Sequence, residues 1–83
     1  MSVFELSKNS METLRFQVSE YKGREYVDVR IYYLDDDGSL KPTRKGVTVS
    51  PDLWPEFLQG VEKLGTELEQ RGLLEKEDED GLG

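Results

Sequence analysis

Neither cysteine nor histidine occurs among the 83 residues. Without cysteine there is no disulfide framework and no thiolate metal site to staple the chain. Without histidine the commonest general base near neutral pH is missing, and so is the commonest metal ligand. The serines at 2, 7, 10, 19, 39 and 50 therefore have no imidazole to activate them, and no glycine-rich phosphate loop is present. Long apolar runs are lacking too. Residues 1–8 hold none long enough for a signal peptide, and no stretch approaches the length that spans a bilayer. These absences argue against a catalytic role and a cofactor and leave a soluble intracellular protein, cytoplasmic if bacterial, as the expectation. A single domain of this size sits near the lower limit for independent folding, so a homodimer is the expected source of further buried surface.

Charge is present but segregated. The formal net charge is −7, yet residues 1–50 hold eight cations and eight anions and are neutral. Residues 51–83 hold three cations and ten anions, which accounts for the whole excess. The first 46 residues combine Lys22, Arg24, Arg30, Lys41, Arg44 and Lys45 with tyrosines at 21, 26, 32 and 33. Cations that follow phosphates and rings that stack on bases suit a single nucleic-acid strand. The plainer reading is a soluble sheet whose cations pair with neighbours such as Glu20, Glu25 and Asp28.

Residues 3–6 suggest a short leading strand. Leu14, Phe16 and Val18 alternate with Arg15, Gln17 and Ser19, the period of a half-buried strand. Lys22-Gly23 reads as a tight turn, and Val27, Val29 and Ile31 continue the alternation through residues 25–34, which makes a hairpin. This register puts Tyr21 on the face of Arg15. Tyr33, three residues from Arg30, falls on the opposite face of a flat strand and belongs to the ligand side only if a bend intervenes; otherwise it is core or dimer interface. Residues 35–38 predict a solvated turn, because the aspartates lack the spacing and closing glutamate of a calcium loop. Pro42 makes residues 40–45 irregular, and Val47 and Val49 flank Thr48 in one more short strand.

Ser50-Pro51 resembles a helix start, although Pro55 implies either a distorted first turn or a regular helix that begins near it. Trp54, Phe57, Leu58, Val61, Leu64 and Leu68 then form one apolar stripe, and Gly72 is a good terminator. Residues 73–83 form an acidic tail, expected to be disordered across 75–80. It serves as a solvating appendage or as an internal competitor for the basic surface. Residues 1–72 constitute the domain.

In order along the chain stand Tyr21-Lys22-Gly23-Arg24, Val27-Asp28-Val29-Arg30, Tyr32-Tyr33, Asp37-Gly38, Leu40-Lys41-Pro42, Arg44-Lys45-Gly46-Val47, Ser50-Pro51 and Trp54. This ordered set resembles the family of the transcriptional coactivator positive cofactor four, which binds single-stranded DNA. The resemblance implies an α+β fold: a curved four-stranded antiparallel sheet followed by one C-terminal helix, assembled as a homodimer. It implies that Tyr21 and Tyr33 stack on bases, and that Lys22, Arg24, Arg30, Lys41, Arg44 and Lys45 contact phosphates or base edges. Gly46 would permit close backbone approach. Glu12 and Leu14 depart from the family's basic first strand, and Thr43 stands where glycine is common. The lack of a serine- and lysine-rich arm suggests a bacterial or phage-like minimal member, nucleoid-associated if bacterial.

The expected function is therefore largely sequence-independent binding of single-stranded DNA or melted duplex, in support of transcription and its machinery. The alternatives are an RNA-binding chaperone on the same surface and an acidic protein-interaction module.

Overall fold

The computed structural model describes residues 2–74; the acidic stretch at 75–80 lies outside the described residues. Four strands, β1 (Ser2–Ser7), β2 (Glu12–Tyr21), β3 (Arg24–Leu34) and β4 (Leu40–Val49), pair antiparallel in chain order. A single 3-10 turn, Pro51–Leu53, leads into helix α1 (Trp54–Gln70). The expected α+β meander with one C-terminal helix is the observed architecture.

The connections follow from local chemistry. Asn9 closes the first turn, its side-chain oxygen accepting from the amides of Met11 at 2.9 Å and Glu12 at 2.8 Å. Lys22 and Gly23 both have positive φ, 52° and 78°, as the two central residues of a type I′ hairpin turn require. Only two residues separate Tyr21 from its partner Arg24, so the register of β2 on β3 runs unbroken from that pair to Glu12 and Tyr33. In the third turn Gly38 donates to the Asp35 carbonyl at 3.0 Å. Two of its three aspartates are occupied locally: Asp35 accepts from Lys41 and from the Asp36 amide, and Asp37 accepts from Ser39.

Residues 40–49 depart from expectation. Instead of an irregular stretch and a short strand, they form one ten-residue strand. Pro42 is tolerated because β4 lies at the edge of the sheet, where a missing amide is least costly. The irregularity is confined to a bulge: Arg30 pairs with Gly46 and Tyr32 with Pro42, so three β4 residues stand opposite Ile31. The helix start combines both readings of its prolines. Ser50 is extended and Pro51 opens a 3-10 turn, after which the regular helix begins at Trp54 with Pro55 in its first turn. The helix ends in a Schellman arrangement, with Gly72 donating to Glu69 and Leu73 to Leu68.

Strand parity sorts the side chains onto two faces. Phe4, Leu14, Phe16, Val18, Val27, Val29, Ile31, Val47 and Val49 share one, and Phe4 meets Phe16 edge to face at 5.7 Å. The helix presents Trp54, Phe57, Leu58 and Val61 toward this apolar face without closing on it. An open groove of about 570 Å³ remains between them. Ile31, at 9% exposure, is the one buried apolar residue among those described, whereas Val61 is 49% and Leu64 66% exposed.

Gly46 lies under the β3 backbone: a Cβ there would meet the Val29 carbonyl oxygen at 2.7 Å and the Arg30 Cα at 3.0 Å. Neither atom belongs to a flexible side chain. Gly46→Ala should therefore destabilise the fold by about 1–3 kcal/mol in urea denaturation. A midpoint unchanged from the parent would show that β4 yields freely at this point.

Candidate nucleic-acid interface

The face opposite the apolar one is polar, and its centre is a connected network. Asp28 on β3 is only 6% exposed. Its carboxylate accepts from Arg30 Nη2 at 2.8 Å, from Gln17 Nε2 at 2.9 Å and from Thr48 Oγ1 at 3.2 Å. Gln17 also reaches the Tyr32 hydroxyl at 3.0 Å, and Arg15 lies over the Tyr32 ring at 4.3 Å. Arg15 in turn donates to Glu5 at 2.7 Å. Burial pushes the Asp28 carboxyl up, but the hydrogen bonds from Arg30, Gln17 and Thr48 and the guanidinium charge outweigh it and hold the group below its ordinary value.

The residues singled out in the sequence fall into three groups. Tyr21, Lys22 and Arg24 form the tip of the β2–β3 hairpin, where Tyr21 is 65% exposed and the Lys22 ammonium lies 5.4 Å from its ring. Arg44, Lys45 and Gly46 lie in and beside the β4 bulge, with Arg30 behind them. Tyr33 and Lys41 are cross-strand partners at the far end of the sheet, about 30 Å from the hairpin tip at the rise of an extended strand. The set is neither one pocket nor one face: Tyr33 and Lys41 lie on the side of the sheet opposite Tyr21, Arg24 and Arg30.

Two placements refine the expectations. Arg30 commits its guanidinium to Asp28, to Thr48 and to the Thr43 carbonyl at 3.0 Å, so it is a half-buried part of the polar network. Tyr33 lies on the side opposite Arg30, beside Glu12 and Lys41, and is 40% exposed. The bulge sits in β4, so it does not rotate Tyr33 onto the Arg30 face.

Ion pairing decides which cations can meet an anion. Arg15 is held by Glu5, Arg30 by Asp28, and Lys41 by Asp35 at 3.0 Å and Asp37 at 3.6 Å. Among the described residues, Lys22, Arg24, Arg44 and Lys45 have no carboxylate partner within ion-pair distance. Glu12 opposes this set at the far end. The Asn9 side chain and the Lys8 ammonium, and more weakly that of Lys45, keep its carboxyl below the ordinary range and thus ionised.

Sequence reasoning missed Gln17 and Thr48, whereas Asp28 enters it as an ion-pair partner of the cations and Thr43 only as a departure from the family pattern. The signal for Gln17 was available, since a two-residue turn at Lys22-Gly23 places it directly across from Asp28.

This sheet and its terminal helix have known counterparts. The family model described as Transcriptional Coactivator p15 (PC4) matches residues 7–60, well over half of the chain. The chain belongs to this family. The RNA polymerase II transcriptional coactivator SUB1 of Saccharomyces cerevisiae is 36% identical over 59 residues, which make up 70% of this chain and 19% of the yeast protein. The chain spans between 19% and 54% of the length of three curated relatives that it matches. Among solved structures, the PC4 homologue BPSL1147 of Burkholderia pseudomallei superposes with a TM-score of 0.73 at 32% identity, covering 78% of this chain and 88% of that one. A MoSub1–ssDNA complex shares the fold with a TM-score of 0.62 at 24% identity, covering 87% and 83%.

The Asp28 network carries a pH signature. Its folded carboxyl titrates below the unfolded value of about 3.9, so its contribution is complete above that pH and fades as pH falls through the folded value. Asp28→Asn should therefore cost about 1–3 kcal/mol near neutral pH. The gap between parent and variant should narrow in acid, followed by thermal melts from pH 7 to pH 2. A gap independent of pH would mean that the carboxylate charge contributes nothing.

Proposed function

We propose that this protein is a homodimeric binder of single-stranded or locally melted DNA, largely indifferent to sequence, which supports transcription or other transactions on opened DNA without itself being an enzyme. The observation that carries this reading is the set of four cations, Lys22, Arg24, Arg44 and Lys45, that have no carboxylate within ion-pair distance among the described residues, on a sheet whose other cations are internally neutralised. Tyr21, exposed beside two of them, adds a stacking surface. Family membership supports the reading, and so does the MoSub1 fold neighbour, solved in complex with single-stranded DNA. Contacts to phosphates carry no base information, which accounts for the expected indifference to sequence.

The homodimer rests on uncovered apolar surface. Both walls of the groove, the sheet face and the helix stripe, are substantially exposed in one chain. A second copy of the chain would supply the missing cover. Light scattering should give twice the chain mass for the parent protein, and Val61→Glu should halve that mass or abolish folding. A well-folded monomeric parent would remove the dimer.

Oligo-dT should bind more tightly than blunt duplex of equal length, because duplex hides the base faces that tyrosine needs. The logarithm of affinity should fall with that of salt by about 0.7 per phosphate neutralised. Tyr21→Ala should lose about 1–3 kcal/mol of binding. Preference for intact duplex would overturn the reading, and preference for RNA of matched sequence would move it to an RNA chaperone.

A further inference from the structure

The β4 bulge is held by one side chain. Where three residues stand opposite Ile31, the ladder lapses and backbone groups lose their regular partners. Thr43 replaces them. Its hydroxyl donates to the Ile31 carbonyl at 2.7 Å and accepts from the Lys45 amide at 3.1 Å. Its own carbonyl accepts from Arg30 Nη1 at 3.0 Å, and that guanidinium is fixed by Asp28. Three hydrogen bonds thus converge on one half-buried residue, while Arg44 and Lys45 next to it are exposed. A β-branched side chain has few χ1 choices, which keeps the hydroxyl aimed at both partners.

We propose that Thr43 is a positioning residue for nucleic-acid binding: its hydroxyl holds the bulge in the shape that presents the Lys45 ammonium to a phosphate. This rests on the reading of Lys45 as a phosphate contact. An unpinned bulge on an edge strand samples many conformations, and a bound strand would have to order it at a cost in conformational entropy. A pinned bulge is ordered beforehand, so more of the phosphate contact is realised as affinity. Asp28 and Arg30 serve the same end from behind by holding the Thr43 carbonyl. The polar network of the sheet is in this way linked to a cation at its rim.

The test is a double-mutant cycle read by oligo-dT affinity at fixed salt. Thr43→Val keeps shape and charge and removes both hydroxyl bonds, and it should weaken binding about three- to tenfold. Thr43→Ser restores the hydroxyl and should bind within about twofold of the parent. In a Lys45→Met background, Thr43→Val should change affinity by less than about twofold, because the group it positions is gone. Thr43→Ala serves the same cycle if the valine variant does not fold, and thermal melts of each variant establish that the compared proteins are folded. Parental affinity in folded Thr43→Val, or an equal penalty in both backgrounds, overturns the positioning role. Parental affinity in Lys45→Met overturns it too, and is the one outcome that also removes Lys45 from the proposed DNA track.

Discussion

A sheet with one apolar face must have that face covered, and here the described residues do not cover it. Strand alternation gathers most of the sheet's apolar side chains on one side, and the helix carries a second apolar stripe. The two stripes face each other across an open groove, and Ile31 alone among the described apolar residues is buried. Apolar burial is the main favourable term in folding, at about 25 cal/mol per Å². The stability of the sheet, and hence the geometry of everything on its other face, depends on what fills that groove. A binding surface on the polar face is in this sense supported from behind.

The polar face meets the opposite requirement. Its central groups satisfy one another: Glu5 with Arg15, Arg15 over Tyr32, Tyr32 and Asp28 with Gln17, and Asp28 with Arg30. A nearly buried carboxylate is tolerable only with such partners. The consequence is electrostatic economy: the central arginine is already neutralised, and the cations without a carboxylate partner among the described residues lie at the hairpin tip and the bulge.

Much of this was legible in the sequence, and for identifiable reasons. Period two assigned the faces of β2 and β3, and a two-residue glycine turn fixed their register, which placed Tyr21 on the face of Arg15 and Tyr33 on the side opposite Arg30. The helix stripe and its glycine stop were equally plain. The continuity of β4 was not, because a bulge on an edge strand has no periodic signal and Pro42 argues against a strand there. The pairing of Arg30 with Asp28, two residues away on the same face, was legible, but its contacts with Thr43 and Thr48 were hidden, since these reach it only across the bulged pairing of β3 with β4.

The two rims of the sheet are not alike. On β4, a strand added from outside would meet a proline with no amide to donate and then a stretch of backbone bent out of register. On β1 the pairing is regular from Phe4 to Ser7, and its one irregularity lies at the first residues. Among the described residues, regular growth of the sheet by strand addition therefore has one open end, at β1. Two sheets joined at such an end leave none behind, so this mode of association terminates at pairs and does not run on into fibres.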